Sequence, residues 1–446
     1  LNDAKAGSQT FTYPDLWSAR DAAEALNWKE KRPVTIKVFA GNTWTWETSG
    51  SADFVQSGAS SLKANSLTRN NVFWEFERGS GIITTTTNAD IIYFNDNFYG
   101  NNIITDTVSY AVLGKGIFKN ASWGVFRLMC LKQKVVFEAD SIFGGSQTFR
   151  AQNRLCQSIR VNVNFCESAS EISLTTAIDY AIFNFNTISI LATKKVGNGS
   201  AIFFYDYPSA TAIISGVISA AKKSNVTLTI GLLRAAASGG IMICTSEYTN
   251  YLISVDKFYQ LGADTTLCKA SSAFSIYNEG GRFNNSNVDF RMSEYVGVHD
   301  IFRLMPSHTI DSSIININCV NAKTTKSVFQ NLDVHNSGTY MHVLNNTTII
   351  IDGLYTSDLQ AINTTETGGS IVLKGSFSTT NSSAAISGTS TNIKLLGNIS
   401  VGDGSSNCIV GTTNLVVYPS ATANTSAAGT VTMQGATLNV NSAFKF

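Results

Sequence analysis

Near the C-terminal end of the chain, apolar segments recur at a constant spacing. They begin at Ile349, Ile371, Ile393 and Leu415, so successive segments start 22 residues apart. A fixed period of this length is typical of a solenoid, in which every coil of the chain stacks on its neighbour. The pattern therefore predicts a repetitive β-structure and not a series of separate globular domains.

The pattern continues inside each repeat, where every second position is apolar or glycine. Three repeats superpose position by position: Ile349, Ile351, Gly353 and Tyr355 on Ile371, Leu373, Gly375 and Phe377, and these on Ile393, Leu395, Gly397 and Ile399. Alternate residues of a strand point to one face, so like residues are expected to stack on like. We predict an all-β chain, a right-handed, single-stranded parallel β-helix (β-solenoid) with about 22 residues per coil.

Asparagine alternates with apolar residues further upstream. The segments 161–165 and 315–319 read Val-Asn-Val-Asn-Phe and Ile-Asn-Ile-Asn-Cys, and 226–230 has the same alternation with threonine, Val-Thr-Leu-Thr-Ile. Stacked Asn side chains can hydrogen-bond from coil to coil. Solvated Asn on an exposed strand face fits the same pattern equally well.

One segment near the N-terminus has the character of a helix. Residues 15–31 place Leu16, Ala19, Ala23 and Leu26 on one stripe, with Asp15 available as the N-cap. Such a helix can cover the open end of the first coil. We therefore divide the chain into a Trp-rich cap and first strand (1–50), a parallel β-helix (51–420) and C-terminal small-residue strands (421–446) that are a possible oligomerisation end.

Composition excludes several functional classes. Only 14% of the residues are charged, the formal net charge is +1, and no basic stretch suggests a nucleic-acid partner. No apolar run reaches the length of a membrane-spanning helix, so no membrane insertion is expected. The seven cysteines are scattered without metal-binding spacing and are interpreted as buried thiols, and the sequence predicts neither a cofactor nor a metal.

The segment that follows the predicted helix reads Val-Thr-Ile-Lys-Val-Phe-Ala-Gly-Asn-Thr-Trp over 34–44 and precedes many Asn-rich coils. A helix, a strand ending in glycine and an aromatic residue, and such coils resemble the pectate-lyase-like β-helix proteins, and bacteriophage tailspikes and tail fibres in particular. The resemblance implies a virion protein that binds a host surface glycan and other virion proteins. It also implies a homotrimer, which would cover the C-terminal end of the β-helix.

Candidate site residues are few. Glu138 and Asp140 alternate on a predicted strand, so they share a face and could form the carboxyl pair of a glycosidase. Trp44 and Trp46 could offer an aromatic surface to a sugar. The alternatives are a solvated strand face for the two acids and core packing for the two tryptophans. Asp289 with Glu294, and Asp352 with Asp358, are weaker pairs that only stacking of coils could bring together.

The preferred functional interpretation is a structural or receptor-binding component of a bacteriophage virion, located in the extracellular particle. An extracellular polysaccharide hydrolase or lyase on the same fold is the first alternative, and a secreted or cell-surface bacterial adhesin is the second. Whether the chain is an enzyme stays open, because function in a solenoid depends on the side chains that one face carries.

Overall fold

The computed structural model describes two compact units, each built of stacked parallel β-coils. One unit comprises Leu1–Ser189 with Tyr207–Thr227, and the other comprises Ile190–Asp206 with Leu228–Phe446. The predicted boundaries near residues 50 and 420 stay predictions. The residues that the structure describes are 12–14, 16–30, 32–45, 71–84, 92–95, 108–121, 124–129, 133–145, 147–151, 157–169, 171–175, 179–191, 202–205, 224–236, 240–243, 246–260, 272–276, 283–304, 309–330, 343–359, 362–364, 367–380, 386–388, 392–401, 409–410, 414–417, 422–425 and 438–440.

The described elements are one helix and a long series of strands. The first unit contains α1 (Leu16–Glu30), β1 (Val34–Val38), β2 (Thr43–Thr45), β3 (Val72–Phe76), β4 (Gly81–Thr84), β5 (Ile92–Asn95), β6 (Val108–Gly114), β7 (Ile117–Asn120), β8 (Phe126–Met129), β9 (Gln133–Gly144), β10 (Gln147–Ala151), β11 (Ser158–Ser168), β12 (Glu171–Thr175) and most of β13 (Tyr180–Ile190). The second contains β14 (Ile202–Tyr205), most of β15 (Ser224–Ala235), β16 (Ile241–Ile243), β17 (Ser246–Glu247), β18 (Thr249–Gln260), β19 (Ser272–Ile276), β20 (Phe283–Asn284), β21 (Asn287–Gly297), β22 (Asp300–Leu304), β23 (Thr309–Asp311), β24 (Ile314–Thr324), β25 (Phe329–Gln330), β26 (Val343–Ser357), β27 (Ile362–Thr364), β28 (Thr367–Leu373), β29 (Ser376–Thr379), β30 (Ile386–Gly388), β31 (Asn392–Leu395), β32 (Asn398–Val401), β33 (Ile409–Val410), β34 (Asn414–Val417), β35 (Thr422–Thr425) and β36 (Leu438–Val440).

The helix forms where the sequence predicts it. Leu16, Ala19 and Ala23 are buried, Leu26 is half-buried, and α1 packs against β1 and β3. The apolar stripe therefore covers the first coils of the first unit, as expected of a capping helix. The predicted N-cap, Asp15, lies outside the described residues.

The first unit has its core inside the coils, where like positions stack in columns. Ile36 lies opposite Trp74, Trp74 opposite Val112, Val112 opposite Phe137, and Phe137 opposite Val161. All five side chains are buried. Parallel pairing of this kind, with apolar positions at every second residue, confirms the predicted all-β parallel β-helix.

The constant repeat of the second unit is confirmed residue by residue. Ile349 pairs with Ile371, Ile371 with Ile393, and Ile393 with Leu415, as the equal spacing predicts. The rings of Tyr355 and Phe377 stack with their centroids 5.1 Å apart and 4° between their planes. Aromatic packing thus reinforces the register that the apolar repeat sets.

Other coils are longer than those of the constant repeat. Asn250 pairs with Asn287, a step of 37, Asn287 with Ile314, a step of 27, and Ile314 with Thr348, a step of 34. Apart from a shift between Cys319 and Ala322 in the last pairing, the paired strands keep their register in spite of these differences. The additional residues therefore lie in the connections between strands.

A glycine column stands where β26 and the strands after it bend. An added Cβ at Gly375 would lie 2.3 Å from the carbonyl oxygen of Gly353, and one at Gly397 would lie 1.9 Å from that of Gly375. Both distances are far below van der Waals contact. Neighbouring coils approach too closely here for any side chain, which explains the glycine of the repeat.

One corner of the coils in the second unit repeats a feature that the apolar pattern does not predict. Tyr248, Asn285, Ser312 and Asn346 all have φ between 45° and 54°. The residue after each is a buried serine or threonine whose hydroxyl donates to the carbonyl two residues back; the four donors are Thr249, Ser286, Ser313 and Thr347. This hydroxyl holds the turn in the left-handed region, which such residues rarely adopt alone.

A second sheet closes the other side of the coils. In the second unit it runs in chain order from β14 to β33, and the rings of Phe274, Phe302 and Phe329 stack inside it with centroids 5.6 and 5.0 Å apart. Two segments of similar sequence, Gly-Val-Phe-Arg-Leu-Met at 124–129 and Asp-Ile-Phe-Arg-Leu-Met at 300–305, contribute β8 and β22 to this type of sheet in their respective units. Their similarity therefore reflects the same place in the coil.

Candidate functional site

The outer face of the second unit carries a groove of about 720 Å³. Residues of β15, β18, β21, β24 and β26 line it, together with Lys374 directly after β28. We call this feature the polar groove because each of these coils contributes a charged, amide or hydroxyl residue to its lining. These residues are Thr229, Ser254, Asp256, Asp289, Arg291, Ser293, Asn316, Asn318, Asp352 and Lys374.

Strand alternation explains why these side chains point outward. Val255 and Met292 are buried, and the residues on either side of them along β18 and β21 form the opposite, solvent-facing set. The long apolar-polar alternation of these strands thus builds the core on one face and the polar groove on the other.

The parallel register turns separate strand positions into a column. Ser254 pairs with Arg291, Arg291 with Asn318, and Asn318 with Asp352. Lys374 follows in the next coil, where its backbone N–H donates to the carbonyl of Ile351 at 2.9 Å. We call Ser254, Arg291, Asn318, Asp352 and Lys374 the polar column.

Arg291 is held in place by a carboxylate on its own strand. Its Nε and Nη2 donate to the two oxygens of Asp289 at 2.9 and 2.5 Å, a bidentate pair. The hydrogen bond and the charge of Asp289 raise the pKa of Arg291 above its ordinary value. The Arg291 side chain stays 61% exposed, so its remaining N–H groups face the groove and solvent.

Asp352 is oriented by the backbone. The N–H of Gly353 donates to its Oδ1 at 2.8 Å, which leaves Oδ2 directed away from that bond. The lining contains three carboxylates, Asp256, Asp289 and Asp352, against two cations, Arg291 and Lys374. The groove therefore carries both signs of charge and a small negative excess.

Apolar surface accompanies the polar groups. Val320 is 66% exposed and lines the groove together with Ile350. A site that combines a few fixed polar groups with apolar contact surface can bind a molecule bearing hydroxyls on one side and C–H groups on the other. Sugars have this character.

The predicted acid pair lies in the first unit, on β9. Glu138 and Asp140 flank the buried Ala139, so they share the outer face as predicted. Glu138 accepts from the backbone N–H of Gly114 at 3.2 Å. Asp140 accepts from Asn164 at 3.5 Å and lies 3.8 Å from Arg78. The catalytic role of the two acids stays a prediction.

Two asparagine ladders continue from these acids. Asn162 pairs in register with Glu138 and accepts from the side chain of Asn184 at 2.9 Å, while Asn164 accepts from that of Asn186 at 3.2 Å. Of the two explanations that the sequence allowed for the alternating Asn, coil-to-coil hydrogen bonding is the one found here.

The predicted sugar-binding tryptophans cannot be placed as a pair. The backbone of Trp44 lies in β2 opposite Ile82, while its side chain and the whole of Trp46 fall outside the described residues. Trp74 is fully buried in the core of the first unit. Core packing, the alternative role for large apolar rings, is thus realised at Trp74.

The polar groove was missed because its members are far apart in sequence. The sequence suggests the pairs Asp289 with Glu294 and Asp352 with Asp358, but stacking instead brings Asp289 and Asp352 into one groove. Asp358 accepts from Thr380 in the next coil. The available signal was the alternation in 287–293 and 314–320, which marks the outward positions without giving their register.

Buried groups elsewhere fit a structural role. Cys166 and Cys319 are free and buried; burial raises the pKa of Cys319 to about 12 and that of Cys166 further. The other five cysteines lie outside the described residues. His299 is buried, and its carbonyl accepts from Tyr295 and Thr324. In the described part of the chain, no three His, Cys, Asp or Glu side chains come together as a metal site requires.

Comparison with known proteins gives no relative: no protein-family model, no curated protein and no solved structure matches the chain. Across the described ranges, no helix has the length and apolar character needed to cross a membrane. The assignment of function therefore depends on the geometry of the chain's own residues.

Proposed function

We propose that the chain is a glycan-binding β-helix that serves as a structural or receptor-binding component of a bacteriophage virion, of the tail-fibre or tailspike kind. The observation that carries this proposal is the polar groove, which gathers carboxylate, amide, hydroxyl, guanidinium and ammonium groups from successive coils. The resemblance of the N-terminal segment to phage β-helix proteins supports the virion setting.

The chemistry of the groove favours a carbohydrate over other large ligands. Asn318 offers an acceptor and two donors, Asp352 offers acceptors, and Arg291 offers donors, so together they can satisfy hydroxyl groups that both donate and accept. Nucleic acid requires a concentration of positive charge, whereas the groove contains more carboxylates than cations. An apolar protein partner would remove these charged groups from water without giving them a partner of opposite charge, which is unfavourable.

A hydrolase or lyase is the second candidate, favoured by the shared outer face of Glu138 and Asp140. Both carboxylates are engaged, one by the backbone of Gly114 and the other by Asn164 and Arg78. These contacts give the pair a structural explanation. Glycan binding without cleavage is therefore the first proposal, and an adhesin on a bacterial surface would use the same groove.

A homotrimer is part of the proposal. Within the C-terminal segment 421–446, β36 pairs in parallel with β34. Contacts between subunits at the strand edge of β36 would protect that edge from pairing with unrelated chains. Sedimentation of the purified protein tests this point, and a stable monomer would contradict it.

The test of the proposed function uses purified surface polysaccharides from candidate bacterial hosts. Retention of a polysaccharide by the immobilised protein is measured together with the appearance of new reducing or unsaturated ends. We expect retention without cleavage, and a loss of at least about tenfold in affinity for Arg291→Ala combined with Asn318→Ala.

The matched control is Arg160→Ala, which removes an exposed arginine from β11 in the first unit. The control should bind as the wild type does. If the groove variant also binds normally, the polar groove is not the binding site. Cleavage that disappears in Glu138→Gln or Asp140→Asn would make the chain an enzyme.

A further inference from the structure

We propose that the polar groove takes a linear, uncharged glycan whose successive sugar residues lie on successive coils, along the polar column. This inference rests on the proposed function and adds the direction of the ligand and its chemical class. It depends on two observations, the register of the polar column and the balance of charge in the groove.

The polar column gives a repeating track. Ser254, Arg291, Asn318 and Asp352 occupy equivalent positions in four consecutive coils, and Lys374 adds a fifth. Neighbouring strands are about 4.8 Å apart, so the track is roughly 19 Å long. One coil spacing is similar to the length of one pyranose residue in an extended chain. Each coil can therefore present one polar side chain to one sugar.

The neighbouring rows explain why the ligand follows this column. On one side, Asn316 pairs with Ile350 and Ile350 with Val372, so that row becomes apolar. On the other side, Val320 and Leu354 are 66% and 51% exposed. The polar column thus lies between apolar margins over its last coils. A sugar chain placed along it can direct hydroxyls to the column and C–H groups to the margins.

The charge of the groove selects against polyanions. Asp289 already neutralises Arg291 through the bidentate pair. Of the remaining charged groups, Asp256 and Asp352 are negative and Lys374 is positive. A polyuronate would place a carboxylate on every coil, opposite these two acids, and like charges in contact oppose binding. Uncharged sugars accept the same groups as hydrogen-bond partners without that repulsion.

The first experiment measures how affinity depends on ligand length. A polysaccharide that the protein retains is partially hydrolysed, sized, and titrated as single oligomers. Affinity should increase about three- to tenfold per added sugar up to about five sugars and then stay level. Ser254→Ala and Lys374→Ala, at opposite ends of the column, should weaken long oligomers and leave the shortest binding oligomers unchanged. Equal weakening at every length would overturn the axial placement.

The second experiment compares charge classes across the panel. Retained polysaccharides should be uncharged, and the double variant Asp256→Asn with Asp352→Asn should gain affinity for oligogalacturonate relative to the wild type. Tight wild-type binding of oligogalacturonate that depends on Arg291 would overturn the inference while leaving the proposed function intact. If no polysaccharide is retained at all, the proposed function fails, and this inference fails with it.

Discussion

Replacement of Gly375 by alanine tests the close approach of coils in the second unit. The new Cβ would lie 2.3 Å from the carbonyl oxygen and 2.6 Å from the amide nitrogen of Gly353, both backbone atoms that no side-chain rotation can move away. Overpacking of a core costs about 1–3 kcal/mol, and a clash with backbone belongs at the upper end. We therefore expect Gly375→Ala to destabilise this region by about 3 kcal/mol.

Hydrogen exchange is the appropriate assay for this variant. All six tryptophans lie at or before position 123, so tryptophan fluorescence does not report on the coil that contains Gly375. A loss of about 3 kcal/mol corresponds to exchange roughly 100-fold faster for amides that open with this coil. The effect should extend to β28 and β31, which pair with each other next to the substituted position.

The adjacent substitution Lys374→Ala is the matched control, since it changes an exposed side chain and adds no atom near Gly353. It should alter stability by no more than about 0.5 kcal/mol. If Gly375→Ala exchanges no faster than this control over 367–379, the two coils do not approach each other at Gly353 as described.

Three further predictions concern other parts of the chain. Asn162→Ala should lower the free energy of unfolding of the first unit by about 1 kcal/mol, because it removes the acceptor of the Asn184 side-chain amide. Urea unfolding followed by tryptophan fluorescence measures this change, and Arg160→Ala, which alters an exposed side chain, is the control. Ser313→Ala should cost about 1–3 kcal/mol by hydrogen exchange in 283–324, since the buried Ser286 N–H loses its acceptor. The thiol of Cys319 ionises at an ordinary pKa of 9.0 in the unfolded chain and at a pKa of about 12 in the folded protein. The stabilisation that comes from keeping this thiol protonated is therefore complete below pH 9 and is lost as the pH increases toward 12. The free energy of unfolding of Cys319→Ala should therefore fall less steeply over that pH interval than that of the wild type. Urea unfolding followed by circular dichroism measures both.

The sequence predicts the fold well where coils are equal in length. Between Ile349 and Leu415 a constant step lets stacked positions be counted directly, and the pairing of Ile349 with Ile371 follows from arithmetic alone. The glycine at position 375 could be recognised as structural for the same reason. Alternation also places Glu138 and Asp140 correctly on one face, because that property depends on neighbouring residues only.

The polar groove could not be predicted because its register crosses unequal coils. Arg291 lies opposite Asn318 after a step of 27, whereas Asn318 lies opposite Asp352 after a step of 34. A shift of one position in either pairing would turn every outward side chain inward, so the register cannot be inferred without the corner geometry. That geometry depends on left-handed residues such as Asn285 and Ser312, for which the sequence gives only a short polar triplet as a signal.

The hydroxyl-stabilised corners of the second unit have an evolutionary consequence. Because each corner resets the strand to the same starting point, the stretch of chain between one coil and the next can lengthen or shorten without displacing the columns. The unequal steps of the pairs Asn250–Asn287, Asn287–Ile314 and Ile314–Thr348 demonstrate this tolerance. The connections between coils are therefore natural positions for insertion and recombination. Evolution toward a new binding target could therefore exchange these connections while the stacked core stays the same.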